Sequence, residues 1–430
     1  RGHRMVIFDS HDDYRNIENL SNLFRDINSV GQRIDIQCSS PTFQSAVDRV
    51  IAHIHQLHPE NHPLRNSDFR LREWVGERLL QVASIFYKNK PARELVRSNW
   101  TGVNDGLFEA VMQSDTWRNL VTERRVHSQR VFPELRFYGD GFQDFTIQLM
   151  AAMQGEQFTS AQWRWLRQLI NQQGRGVTYL RNLYRAISTQ TGINQDTQNV
   201  LQQRVNGLSA IYAEAENSGL HPLDFDMFFH DVADRSPNLG HQRSLPENVY
   251  LLSLTDLTNN MRKALVYGVV TYFFRQFKFG GFRARSTIAG QPNAYPVLFV
   301  LEEARSLIPK SSGIQDDDIS GSLARHAMRE LAYEGRKFSL GYGLISQKPA
   351  SIDQEVVSQA NTFILHQLKS PDDQQYVRSV TESMSSEELE MIKSLGTGRA
   401  IVAGVAVKSP VLVRLHYRYS EEGIPEPTPM

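Results

Sequence analysis

A single cysteine, Cys38, in a chain of 430 residues excludes an intramolecular disulfide and fits a reducing compartment. Net charge is missing too: Lys+Arg and Asp+Glu each number 47, so the formal charge is zero. No global basic field therefore draws the protein to nucleic acid, and any such contact must come from local patches or from a pore assembled from several copies. No apolar run reaches the roughly 18–20 residues of a membrane span, and no signal peptide opens the chain. The absence of internal repeats excludes a solenoid. Taken together, these absences predict a cytoplasmic protein with no membrane partner. No methionine and no helix precede the first apolar run, Met5–Asp9. A core strand rarely begins a native protein, so the chain reads as part of a longer one.

What is present is a chain long enough for more than one core, because single cores stop growing at roughly 250–300 residues. The most informative stretch runs from Tyr295 to Pro349. Val297-Leu298-Phe299-Val300-Leu301 is an uninterrupted apolar run closed by Glu302 and Glu303. Such a run predicts a strand buried on both faces of a parallel sheet, delivering acids to its carboxyl edge, where open α/β sheets bind ligands. A second run, Leu340–Ile345, ends in Ser346-Gln347-Lys348-Pro349, and the segment between carries Arg325, Arg329, Arg336 and Lys337. Acids, an amide and arginines are what nucleotide hydrolysis requires. Read alone, Glu302 and Glu303 also fit a structural pair of surface acids, Gln347 a polar strand terminus, and Arg336 a helix-end arginine favoured by the macrodipole.

Elsewhere, Met5–Asp9 reads as a strand ending in Ser10, His11, Asp12 and Asp13, a loop that suits a nucleotide-facing edge as well as a metal. Arg33–Cys38 reads as a strand, and residues 42–57 as an amphipathic helix. His55 and His58 lie one turn apart at its end, where Pro59 makes a solvated helix terminus the simpler reading. From 66 to 236 strand patterns are scarce and helical spacing recurs, with Trp163, Leu166, Leu169 and Ile170 forming one apolar stripe. Val249–Leu254 then reads as a strand, Thr258–Phe277 as a long helix, and Gly280–Pro292 as a loop carrying Arg283 and Arg285. The last two runs, Arg399–Val405 and Val411–Leu415, read as a hairpin or as adjacent edge strands. The fold class predicted is α/β: a core of 1–65 and 237–420, an all-helical insertion over 66–236, and a loosely ordered tail over 421–430.

Six segments in order resemble the HerA-like branch of the HerA/FtsK translocases, RecA-fold P-loop NTPases. Val6–Tyr14 is similar to that family's strand ending in Asp-x-His-x-x-Tyr, and Val297–Pro309 to its Walker B strand. Arg329–Phe338 resembles the helix ending in Gly-Arg-Lys, and Leu344–Asp353 the Ser-Gln-Arg-Pro sensor strand. Val357–Thr362 and Leu395–Gly404 resemble the Ser-Gln segment and the closing strand. The resemblance implies ATP and Mg²⁺ as cofactors, with Asp9, His11 and Glu302 near the nucleotide and Glu302 reaching Mg²⁺ through water. It implies Glu303 as general base, Gln347 as sensor, and Arg336, or failing that Arg329, as the arginine finger given to a neighbouring subunit. It further implies a homo-hexamer acting on double-stranded DNA. Pore loops of such rings carry no signature, so Arg283 and Arg285, in the glycine-flanked loop, are the first candidates for DNA contact, with an ordinary solvated loop the simpler reading. An effector partner, a nuclease or NAD-consuming enzyme in DNA end-processing or phage defence, follows from the same resemblance. A ring that chiefly presents such an effector is the alternative, and an ATPase of conjugative secretion a third reading. One departure stands out: no Gly-x-x-x-x-Gly-Lys-Ser/Thr loop occurs in these residues, although its backbone amides and lysine hold the phosphates in P-loop enzymes. These residues alone are therefore expected to hold ATP weakly, the loop being expected on residues preceding Met5.

Overall fold

The computed structural model describes residues 3–12, 126–173, 180–235, 249–285, 292–311 and 318–415, apart from isolated positions within those stretches. The expected strand over 33–38, the helix over 42–57 and the His55/His58 pair lie outside the described residues. Two compact units make up the chain. Arg1–Asp12, Ser128–His241 and Tyr250–Arg414 form one of them, which carries the elements below. The second, Asp13–His127, Gln242–Val249 and Leu415–Met430, falls almost entirely outside the described residues.

A six-stranded sheet is the centre of the first unit. Its strands are β1 (Arg4–Asp9), β2 (Val126–Pro133), β3 (His221–Leu223), β4 (Val249–Ser253), β5 (Val297–Leu301) and β6 (Leu340–Leu344), in the order β3-β2-β4-β1-β5-β6. β5 pairs in parallel with β1 on one side and with β6 on the other, Val297 lying opposite both Arg4 and Leu340. Val297, Phe299 and Leu301 are buried, as are Val6 and Phe8 on β1. Each fully buried side chain of this kind contributes about 1.5–3 kcal/mol. The sheet thus anchors the chain segments that leave its carboxyl edge. A second, three-stranded sheet is antiparallel, formed by β7 (Thr362–Leu365), β8 (Arg399–Gly404) and β9 (Val411–Arg414), with β8 and β9 the expected hairpin.

Helix Asn259–Lys278 lies against the sheet, with Phe273 packed edge-on to Phe299 at 5.5 Å. Thr258 caps it, its hydroxyl accepting from the Met261 amide, and thirteen of its residues are buried, which is why its sequence is apolar nearly all round. Gly268 marks the tightest approach: a Cβ there would sit 2.3 Å from Cζ of Phe225. Gly268→Ala is therefore expected to destabilise the protein by about 1–3 kcal/mol through overpacking, read as a lower urea midpoint with an unchanged slope.

The expected all-helical block over 66–236 needs correcting. Gln143–Gln154, Ser160–Gln173, Leu180–Thr189, Gln195–Asn217 and Phe225–Val232 are helices, and Leu166, Leu169 and Ile170 are buried as the stripe predicts. Yet β2 and β3 fall in this stretch and belong to the main sheet. β2 escapes pattern reading because Ser128 and Arg130 are exposed and the buried residues, Val131, Phe132 and Pro133, come together at its end without alternation; β3 is three residues long. Both are held by long-range pairing rather than by a local period.

Candidate active site

The carboxyl ends of β1, β5 and β6 lie side by side, and their backbones are tied across the edge. The Glu302 amide donates to the Phe8 carbonyl (3.2 Å), the Ile345 amide to the Leu301 carbonyl (2.9 Å), and the Ala304 amide to the Ile345 carbonyl (3.0 Å). Glu302 is buried, and Ser10 grips it twice: the Ser10 amide donates to Oε2 and the Ser10 hydroxyl to the Glu302 carbonyl, both at 2.9 Å. Asp9 is buried beside them, its Oδ1 accepting from the His11 amide at 3.3 Å, while the His11 side chain is exposed. Asp9, His11 and Glu302 therefore share one edge, as the sequence predicts. Ser10 could not be singled out from the sequence, because a serine in a loop carries no signal until its partner Glu302, 292 residues away, is known.

Glu303 differs from its neighbour in backbone and in environment. It adopts the left-handed conformation, φ 47° and ψ 48°, at the start of the short helix Ala304–Leu307. A non-glycine residue held there costs about 1–3 kcal/mol and persists only where the surroundings enforce it. Oε2 of Glu303 is buried and accepts no hydrogen bond, although the Arg305 guanidinium lies 3.3 Å away. Gln347 is exposed just beyond β6. The Ala304–Ile345 hydrogen bond puts Glu303 and Gln347 on adjacent chain segments of the same edge.

Arg336 occupies the other edge. It sits in the turn Gly335–Phe338, immediately before β6, whose first residue Leu340 pairs with the first residue of β5. One strand length, about 16 Å, separates it from Glu302 and Glu303 along the sheet. The side chain is exposed, with no hydrogen bond or ion pair to any described residue. Arg329, by contrast, is occupied within its own chain. Its Nε and Nη2 donate to the two oxygens of Asp353 at 3.0 and 2.6 Å, and Nη1 lies 2.8 Å from Glu355. The Asp353 hydrogen bonds, with the neighbouring negative charge, hold the guanidinium above its ordinary pKa. Arg329, the second choice for the finger, thus has three of its five N–H donors engaged within its own chain, two of them in a forked pair to a carboxylate that is 1% exposed.

Arg283 and Arg285 are exposed in the loop after helix Asn259–Lys278. The base of the loop is closed by the Asn293 and Ala294 amides, both donating to the Arg283 carbonyl (3.0 and 3.1 Å), and by the Arg283 amide donating to Asn293 Oδ1 (2.6 Å). Because the loop leads into β5, it lies towards the edge of Arg336 and away from the carboxylates.

No group of three or more His, Cys, Asp and Glu side chains able to hold a metal exists among the described residues. The carboxylate edge still fits Mg²⁺, whose hard oxygen coordination keeps several waters and takes phosphate oxygens in place of a protein cage. Asp9 and Glu302 would supply carboxylate oxygens of that kind at this edge. No helix among the described residues is long and apolar enough to cross a membrane.

No protein-family model matches the chain. Over 128 residues it is 38% identical to the DNA double-strand break repair helicase HerA of Pyrococcus furiosus, a match covering 30% of this chain and 22% of that protein. Over 120 residues it is 36% identical to a probable HerA helicase of Methanocaldococcus jannaschii, covering 28% of this chain and 22% of the relative. The chain thus spans about a fifth of the length of the curated relatives it matches. Among solved structures, it is similar to VirB4 of Thermoanaerobacter pseudethanolicus with a TM-score of 0.40 at 11% identity, over 71% of this chain and 80% of that one.

Proposed function

We infer that this chain, a HerA-like member of the HerA/FtsK superfamily, provides the acid, sensor and arginine parts of a Mg²⁺-dependent ATPase whose sites lie between subunits of a ring. The observation that carries this reading is Glu303. A strained left-handed residue with a buried, unsatisfied carboxylate oxygen, beside the end of the next strand, is a base awaiting a water rather than a structural acid. Mg-ATP, when bound, would supply the phosphoanhydride to be cleaved and a cation that offsets the charge on its phosphates. Glu303 orients the attacking water and takes its proton. Gln347, on the adjacent segment, donates to the same water or to the γ-phosphate oxygens. Glu302, fixed by Ser10, holds waters of the cation in place, and Asp9 with His11 walls the nucleotide's side of the edge. Arg336 is too far along the sheet to act at its own site and serves that of the neighbouring subunit, which requires a closed ring, by the resemblance a hexamer.

The work driven by hydrolysis is proposed to be movement along double-stranded DNA in the cytoplasm, alongside a nuclease or NAD-consuming effector in DNA end-processing or phage defence. HerA relatives that are double-strand break repair helicases support this reading. Arg283 and Arg285 lead as DNA contacts because both are exposed on a loop whose base is pinned. The test is ATP turnover by the full-length protein with and without double-stranded DNA, followed by binding of the double Arg283→Ala, Arg285→Ala variant at several salt concentrations. DNA should stimulate turnover. The variant should bind more weakly, with a salt slope reduced by about 1–2, and nucleotide affinity should not change. Turnover indifferent to DNA leaves a ring that presents its partner instead.

A further inference from the structure

The loop that carries Gln347 is stapled on three sides, and one staple leads to the arginine given to the next subunit. On the first side it meets the segment that follows Glu303: the Lys310 amide donates to the Ser351 carbonyl (2.9 Å) and the Asp353 amide to the Ile308 carbonyl (3.0 Å), closing an antiparallel bridge between Pro309 and Ile352. On the second, the Ala350 amide donates to Oδ1 of buried Asp373 (3.0 Å) in helix Pro371–Val380. On the third, Asp353 takes the Arg329 fork while its Oδ1 also caps helix Gln354–Ser358 through the Val356 amide (3.2 Å). Arg329 lies on helix Ile319–Glu334, which runs directly into the turn holding Arg336. About 10–12 Å of helical rise separates the two arginines, and a helix transmits displacement along its axis as a rigid body.

We propose that Asp353 is a positioning residue that couples nucleotide sensing at Gln347 of one site to the placement of Arg336 in the next, through its fork with Arg329. This rests on the reading above of Gln347 as sensor and Arg336 as finger. When the sensor loop closes on a γ-phosphate, Asp353 moves with it, and the helix of Arg329 must follow or lose a buried, doubly hydrogen-bonded ion pair. A lost pair leaves the Asp353 charge uncompensated in the interior. The arginine leaving this subunit then reports the occupancy of this subunit's own site, which makes successive sites around the ring interdependent. A fork is needed for this, since a guanidinium held at two points resists rotation whereas an ammonium held at one does not.

Two variants test it in the full-length protein. Asp353→Asn retains the cap, because asparagine is as good an N-cap residue, but removes the charge. Arg329→Lys retains the charge but not the fork. Turnover is measured against ATP concentration, with thermal melting and binding of a fluorescent ATP analogue as controls. In the unaltered protein hydrolysis should be cooperative in ATP. Both variants should stay folded and bind the analogue as before, while their Hill coefficients drop to about 1 and doping with Glu303→Gln subunits lowers their turnover linearly. A folded variant of either kind with unchanged cooperativity and an unchanged doping curve overturns the coupling, as does hydrolysis already non-cooperative in the unaltered protein. Failure of the underlying reading looks different: Arg336→Ala would then retain full turnover, whatever the two coupling variants do.

Discussion

Replacing Glu303 with glutamine in the full-length protein is expected to lower ATP turnover by about 10²–10³-fold while nucleotide affinity stays within about twofold. The substitution keeps shape and removes the negative charge, and with it the ability to take a proton and the ion pair to the exposed Arg305 guanidinium. Nothing among the described residues hydrogen-bonds Oε2, so no buried partner is orphaned by the change and folding should be unaffected. Glu302→Gln is expected to behave differently, since the Ser10 amide donates to that carboxylate; its effect falls on the dependence of turnover on Mg²⁺ concentration. Single-turnover hydrolysis with and without excess Mg²⁺ separates the two. If Glu303→Gln left turnover intact, the acid at the end of β5 would be structural and the site would need another base.

Arg336→Ala is expected to lower turnover by about 10³-fold, the usual contribution of an arginine finger, with no loss of stability, because the side chain is exposed and bonded to nothing described. Lysine should not restore activity, as it cannot present two donors in one plane. The distinguishing measurement mixes two inactive proteins. A ring of Glu303→Gln and Arg336→Ala subunits contains interfaces where an intact Glu303 meets an intact Arg336, so mixing should recover turnover that neither protein has alone. An arginine acting within its own subunit would give no recovery. The separation of about one strand length between the two residues, set by the parallel register of β5 and β6, is the physical ground for expecting recovery.

The parts of this protein that the sequence by itself determined are those whose signal is local. β5 is legible because a strand buried between two neighbours must be continuously apolar, and the acids that end it must then stand at an edge. The helices Asn259–Lys278 and Gln195–Asn217 announce themselves by spacing, and the closing hairpin by two β-branched runs around Ser409 and Pro410. From those elements follow the α/β class and the acid edge, while the choice of Glu303, Gln347 and Arg336 rests on the resemblance to the HerA/FtsK motifs. Only the tertiary structure decided where these residues stand relative to one another. It set β2 and β3 into the main sheet, since their half-exposed or very short runs draw stability from partners distant in sequence. It bound Arg329 to Asp353, left Arg336 without a partner among the described residues on the far edge, and set Glu303 in a left-handed conformation. Each of these depends on which chain segments meet across the sheet, and a side chain's chemistry depends on its neighbours in space, which no period or spacing along the chain records.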